Sequence, residues 1–178
     1  MGIPTLISTA TASNAANVDI TSGIDSTYDE YMFVFTDVNP ATDNVQFTFQ
    51  VNAAGASGFN ETITSTLFMA EHTESDSSSS LGYEASYDQG QGTAYQSIAR
   101  KCGNGSDESS AGVLCLFNPS NTTFVKHFYS RFNTYEAGDQ TSNNFAGGYV
   151  NITTAVDEIS FKMSSGNFDG VIQMYGIA

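Results

Sequence analysis

Apolar and polar residues alternate with a period of two along most of this chain, the spacing of a strand rather than a helix. In VQFTFQV, Val45, Phe47, Phe49 and Val51 share one face, and Gln46, Thr48 and Gln50 share the other. ISFKM repeats the pattern, with Ile159, Phe161 and Met163 inward and Ser160 and Lys162 outward. YMFVF is apolar on both faces and reads as a central strand. TFVKHFYSRF puts Phe124, Phe128 and Phe132 on one face and Val125, His127, Tyr129 and Arg131 on the other. That second face mixes apolar and charged groups, as expected where a strand meets a partner subunit or a thin solvent layer. TLISTAT, TITSTLFMA, TAYQSIA, AGVLCLF, NFAGGYVN and VIQMYGI supply further strands.

Turn chemistry separates these runs. VNPATDN joins Val34 and Phe35 to Val45, and FNPSNTTF joins Leu116 and Phe117 to Phe124, because proline presets the first central position of a turn. SSGNFDG precedes the last strand, where Gly166 and Asn167 suit positive φ. Strands at this spacing, with no helical periodicity between them, predict an all-β, antiparallel, jelly-roll-like β-sandwich. ESDSSSSLG and KCGNGSDESSAG are expected as mobile surface loops rather than boundaries. The composition is the same on either side of them, so residues 1–178 read as a single domain.

Composition narrows the function classes. Nineteen acidic and five basic residues give a formal net charge of −14. Such a surface repels phosphate backbones and anionic lipid, so neither nucleic acid nor membrane is an expected partner. No stretch approaches the roughly 18 apolar residues of a membrane helix. The opening MGIPTLISTATASNAANVDI has no basic segment followed by a long apolar one, so no signal peptide is expected. Gly2 alone is a poor acylation signal. Cys115, inside VLCLF, reads as a small buried hydrophobe, whereas Cys102 falls in a loop-like stretch. Two cysteines leave a disulfide open but make no framework.

The chain holds two histidines and no Trp. His72, in AEHTESD, lies near Glu71, Glu74 and Asp76. It offers a general base or a metal ligand, but a solvated loop histidine is the preferred reading, since no nucleophile motif accompanies it. His127 is expected to pack or to meet a partner. Neither spacing fits zinc, and no recognisable calcium loop is present, so no metal and no cofactor are expected. Asp157 and Glu158 are adjacent, so in a strand they point to opposite faces and cannot line one cleft. Asp25 and Asp29, in IDSTYDEY, are expected to cap a turn. Together these readings predict a protein that is not an enzyme. Tyr83, Tyr87 and Tyr95, in LGYEASYDQGQGTAY, form the candidate ligand loop, where rings exposed together would stack on sugars. The alternative is that they are ordinary half-buried strand tyrosines.

IDSTYDEYMFVFTDVNPATDN, LFNPSNTTFVKHFYSRF and AVDEISFKMSSGNFDGVIQMYGI, with the opening LISTATASNAANVDI, resemble segments of small virion structural proteins of marine and cyanobacterial tailed phages. About Ser75 to Ser110 the match is poorest. The resemblance implies a jelly-roll-like sandwich assembling as a homotrimer on the particle surface. The family comprises capsid decoration or cement proteins, head fibres and tail-fibre heads. The strand pattern begins near Met1 without a helical or repetitive shaft, which favours a decoration or fibre-head subunit. The expected function is thus a non-enzymatic capsid decoration subunit, assembled in the host cytoplasm. The alternative is a receptor- or glycan-binding fibre head. The expected partners are other copies of the chain, the major capsid protein or another virion protein, and host surface glycan. Val125, His127, Tyr129 and Arg131, with Tyr175 in the final strand, are the interface candidates.

Overall fold

Among the described residues, 2–178, the computed structural model contains twelve strands and no helix. They are β1 (Thr5–Ala15), β2 (Val18–Ile20), β3 (Glu30–Pro40), β4 (Val45–Ala53), β5 (Ile63–Thr73) and β6 (Ser79–Tyr83), followed by β7 (Gln96–Cys102), β8 (Ser110–Phe117), β9 (Lys126–Glu136), β10 (Gln140–Val150), β11 (Val156–Met163) and β12 (Phe168–Ile177). Every pairing between them is antiparallel. One layer runs β1-β12-β3-β8-β9-β10-β5-β6, and the opposing layer runs β2-β11-β4-β7. The layers join where Cys102 of β7 pairs with Glu136 of β9, which wraps the sandwich toward a barrel. The fold is all-β and jelly-roll-like.

Period-two alternation accounts for the core. Phe33 and Phe35 of β3 meet Phe47 of β4, Phe132 of β9, Phe161 of β11 and Phe168 of β12, all at most 1% exposed. Phe35 is the hub, with ring centroids 5.0 Å from Phe132, 5.0 Å from Phe161 and 5.5 Å from Phe47. Each buried Phe contributes roughly 2–3 kcal/mol of transfer free energy, and tilted or edge-on rings add to it.

Several expectations need correction. Thr48 and Gln50, on the face opposite Phe47 and Phe49, are buried too. Gln50 Nε2 donates to the carbonyls of Glu61, Thr93 and Ala94, so the loops after β4 and before β7 roof that face. Ser160 is likewise buried, under Tyr95. Phe124 is 68% exposed, because β9 starts only at Lys126 and the Asn121 side chain accepts from the amides of Thr123 and Phe124 in the preceding turn. Part of the serine-rich stretch is β6, paired to β5. Cys102 ends β7 fully buried rather than lying in a loop, and both cysteines are free thiols. Gly166 takes φ 75°, but Asn167 does not take positive φ; its side chain donates to the Asn14 carbonyl instead.

Candidate functional site

The outward face of the eight-stranded layer is the most distinctive surface. Strand registers place its side chains in rows. One row runs Leu6, Tyr175, Met32, Cys115, Tyr129, Gly147 and Thr66 across seven strands. The next runs Thr9, Gln173, Val34, Val113, Arg131, Phe145, Phe68 and Tyr83. Arg131 is the only charged side chain in the two rows, on a chain of net charge −14. Soluble proteins rarely leave so apolar a face open without a use for it.

β3 shows how the sequence builds this face. YMFVF is apolar in both phases, and β3 is indeed hydrogen-bonded on both sides. Only Tyr31, Phe33 and Phe35 enter the core; Met32 and Val34 point outward and stay half-exposed. The second apolar phase therefore belongs to the outer face. The same two-phase pattern in Leu67–Phe68–Met69 and in NFAGGYV puts Phe68, Phe145 and Tyr149 on it, strand residues that alternation alone does not mark as part of a site.

His127, Tyr129 and Arg131 all point outward from β9, and Tyr175 points outward from β12 on the same face. Val125 precedes β9 and is half-buried. The structure does not bring the three loop tyrosines together. Tyr83 lies on the outer face and donates its hydroxyl to the Asp88 carboxylate. Tyr87 packs against the core. Tyr95 sits over the other layer, bonded to Ser160 at 3.1 Å with the Lys162 ammonium 4.0 Å from its ring centre.

Within the face, β9, β10 and β5 form a groove of about 360 Å³. Gly147 is its floor. Across the sheet it is flanked by Tyr129 and Thr66, and the side chain of Phe145 rises two residues before it. Phe145 stacks on Phe68, centroids 4.8 Å apart and planes within 7°. The Arg131 guanidinium lies 5.5 Å from the Phe145 ring centre. The Tyr129 hydroxyl is pushed up to about 12, chiefly by its hydrogen bond with Cys115.

Several other ionisable groups have structural partners. His72 Nε2 lies 3.1 Å from Asp76 Oδ1 at the exposed end of β5. Tyr135 is pushed up to about 12, first by its hydrogen bond to Glu74 and then by burial and by nearby Asp139 and Asp107. The Asp25 carboxylate caps the turn as expected, accepting from the Thr27 amide at 2.8 Å, and hydrogen bonding by the Thr27 side chain first and its amide second holds the Asp25 pKa below the ordinary value. Glu158 accepts from Asn52 at 2.8 Å. Inside the sandwich, Arg100 is 2% exposed, paired with Glu71 and 3.2 Å from Glu136. Among the described residues, no cluster of three or more His, Cys, Asp or Glu is placed to hold a metal ion. Among them, too, no helix is long and apolar enough to cross a membrane.

No family model matches the chain, and no curated protein matches it.

Proposed function

We propose that this chain is a non-enzymatic virion structural protein, a homotrimeric capsid decoration or cement subunit on the outside of a tailed-phage head. The observation that carries the reading is the outer face, whose two central rows hold one charge on a strongly acidic chain. Copies at −14 repel one another over most of their surface. Contact through the neutral rows avoids that penalty and removes apolar area from water. The half around Tyr175, Met32, Val34 and Val113 is apolar and uncharged, and it suits contact between copies. A three-fold arrangement matches the vertices of a quasi-symmetric shell. Binding across neighbouring capsid subunits would stabilise the assembled shell, because the bound state exists only there. The virion setting itself is supported by the sequence resemblance alone.

Sedimentation of the purified protein tests the self-contact. A trimer is expected for the wild type, and a monomer of unchanged fold for Met32→Glu with Val34→Glu. A monomeric wild type would remove the homotrimer. A reconstruction of the particle tests the location, and density at the tail tip with none on the shell would sink the decoration role. The aromatic groove favours a second reading, a receptor-binding fibre head. Purified protein would then compete with particles for host adsorption, and absence of competition would count against it.

A further inference from the structure

We infer that the groove floored by Gly147 is a binding site for a sugar ring bearing a carboxylate, with the ring against the aromatic walls and the carboxylate on Arg131. The site is independent of whether the subunit sits on head or tail. Its geometry follows from the strand lattice. On the outer face, position 147 lies between Tyr129 of β9 and Thr66 of β5, with Phe145 and Tyr149 two residues away on either side. All four neighbours carry side chains, and glycine carries none. A Cβ at 147 would meet only the Phe128 carbonyl at 3.8 Å and Tyr129 Cβ at 4.0 Å, so the dent is open space rather than a close backbone approach.

The walls fit a ring with an apolar face. Tyr129 is 49% exposed and Phe68 45%, although aromatic side chains of this size are usually covered. The Phe68 and Phe145 rings are already packed on each other, so neither loses much freedom on binding. The groove's 360 Å³ lies at the small end of ligand pockets, the scale of a sugar unit rather than an extended chain. Thr66, whose hydroxyl donates to the Gly147 carbonyl, is a polar group in the lining.

Charge selects the substituent. Arg131 is the lone charge of the two central rows and borders the groove. Its guanidinium matches a carboxylate with two parallel hydrogen bonds. The net charge of −14 opposes densely sulfated or phosphorylated polymers at long range, so a short or terminal acidic sugar is the fitting class.

The test is a titration of isotope-labelled wild-type protein with digalacturonic acid, followed by amide chemical shifts, alongside its methyl ester. Shifts are expected at Gly147, Tyr129, Arg131 and Phe145. Esterification should weaken binding roughly tenfold or more, the scale of one charge-assisted contact. Arg131→Gln should abolish the preference for the free acid while leaving weak ester binding. Gly147→Val should fill the dent and remove binding of both sugars. Gly147→Ala is the smaller version, should Gly147→Val prove unfolded by circular dichroism. The proposal is overturned by absent shifts in the wild type, by equal affinity for acid and ester, or by unchanged binding in a folded Gly147 variant. It is equally overturned if Gly147→Val changes the sedimenting mass while neither sugar binds, since the groove would then be a contact between copies.

Discussion

Arg100 is a long cation with almost no exposure, held between Glu71 on β5 and Glu136 on β9. Removing it leaves the buried Glu136 carboxylate with only Lys101, 3.9 Å away, as a cationic neighbour, and strips the partly exposed Glu71 of its ion pair. Arg100→Ala should therefore cost about 3–5 kcal/mol in urea denaturation. Glu71 adds a pH signature. Burial pushes its pKa up, but the Ser80 hydrogen bond and the Arg100 charge outweigh burial, and the net result is below the ordinary 4.5. A lowered folded-state value stabilises the fold above the unfolded value, and the gain fades as pH falls through the folded one. The stability gap between wild type and Glu71→Gln should thus be full at pH 7 and close progressively below pH 4.5. A gap independent of pH would show that Glu71 acts through packing and not through its charge.

Strand β10 carries two adjacent glycines with opposite roles. Gly147 faces the open groove. Gly148 faces inward, where a Cβ would collide with the Thr64 carbonyl and come within 2.8 Å of Ser65 Cα. Gly147→Ala should leave the melting temperature unchanged or raise it slightly, while Gly148→Ala should lower it sharply by prising β10 from β5. Thermal unfolding of the two variants side by side checks this. The contrast also shows what was legible in the sequence. Alternation located the core strands, and Val45, Phe47, Phe49, Phe128, Phe132, Ile159 and Phe161 are buried as the pattern demands. Position 147 was invisible, since the use of a glycine depends on which neighbours the register sets beside it. The tyrosine trio failed for a related reason. Nearness in sequence put Tyr83, Tyr87 and Tyr95 together, but the chain between β6 and β7 passes from the eight-stranded layer to the other one and separates them.

For the whole molecule, electrostatics and apolar burial oppose each other. Repulsion between copies is long-ranged and screened by salt, whereas the contact of neutral rows is neither. Self-association should therefore strengthen between 20 mM and 500 mM sodium chloride, values chosen to take the screening length from roughly 20 Å to a few ångströms. Light scattering across that range checks it; association that weakens with salt would mean that Arg131 and His127, paired with acids of a neighbour, dominate the contact. Whole-molecule features were the least legible. Nothing in the alternation of YMFVF tells whether its second apolar phase meets another layer or stays open, because both need the same residues.

The order of the strands in space also sets an order in time. β12, the last of the twelve to be made, lies hydrogen-bonded between β1 and β3, two of the first. Until it exists, β1 has no ladder partner and β3 has only β8. The eight-stranded layer cannot close while the ribosome is still adding residues before Phe168. Ribosome-bound chains stalled ahead of that residue should be cut readily by protease, and chains extended past Ile177 and clear of the exit tunnel should resist. Such late closure is the kinetic cost of pairing the two ends of a chain. It leaves core side chains such as Phe33 and Phe35 without their β12 neighbours for the length of synthesis, when the acidic charge of the nascent chain is what keeps neighbouring copies apart.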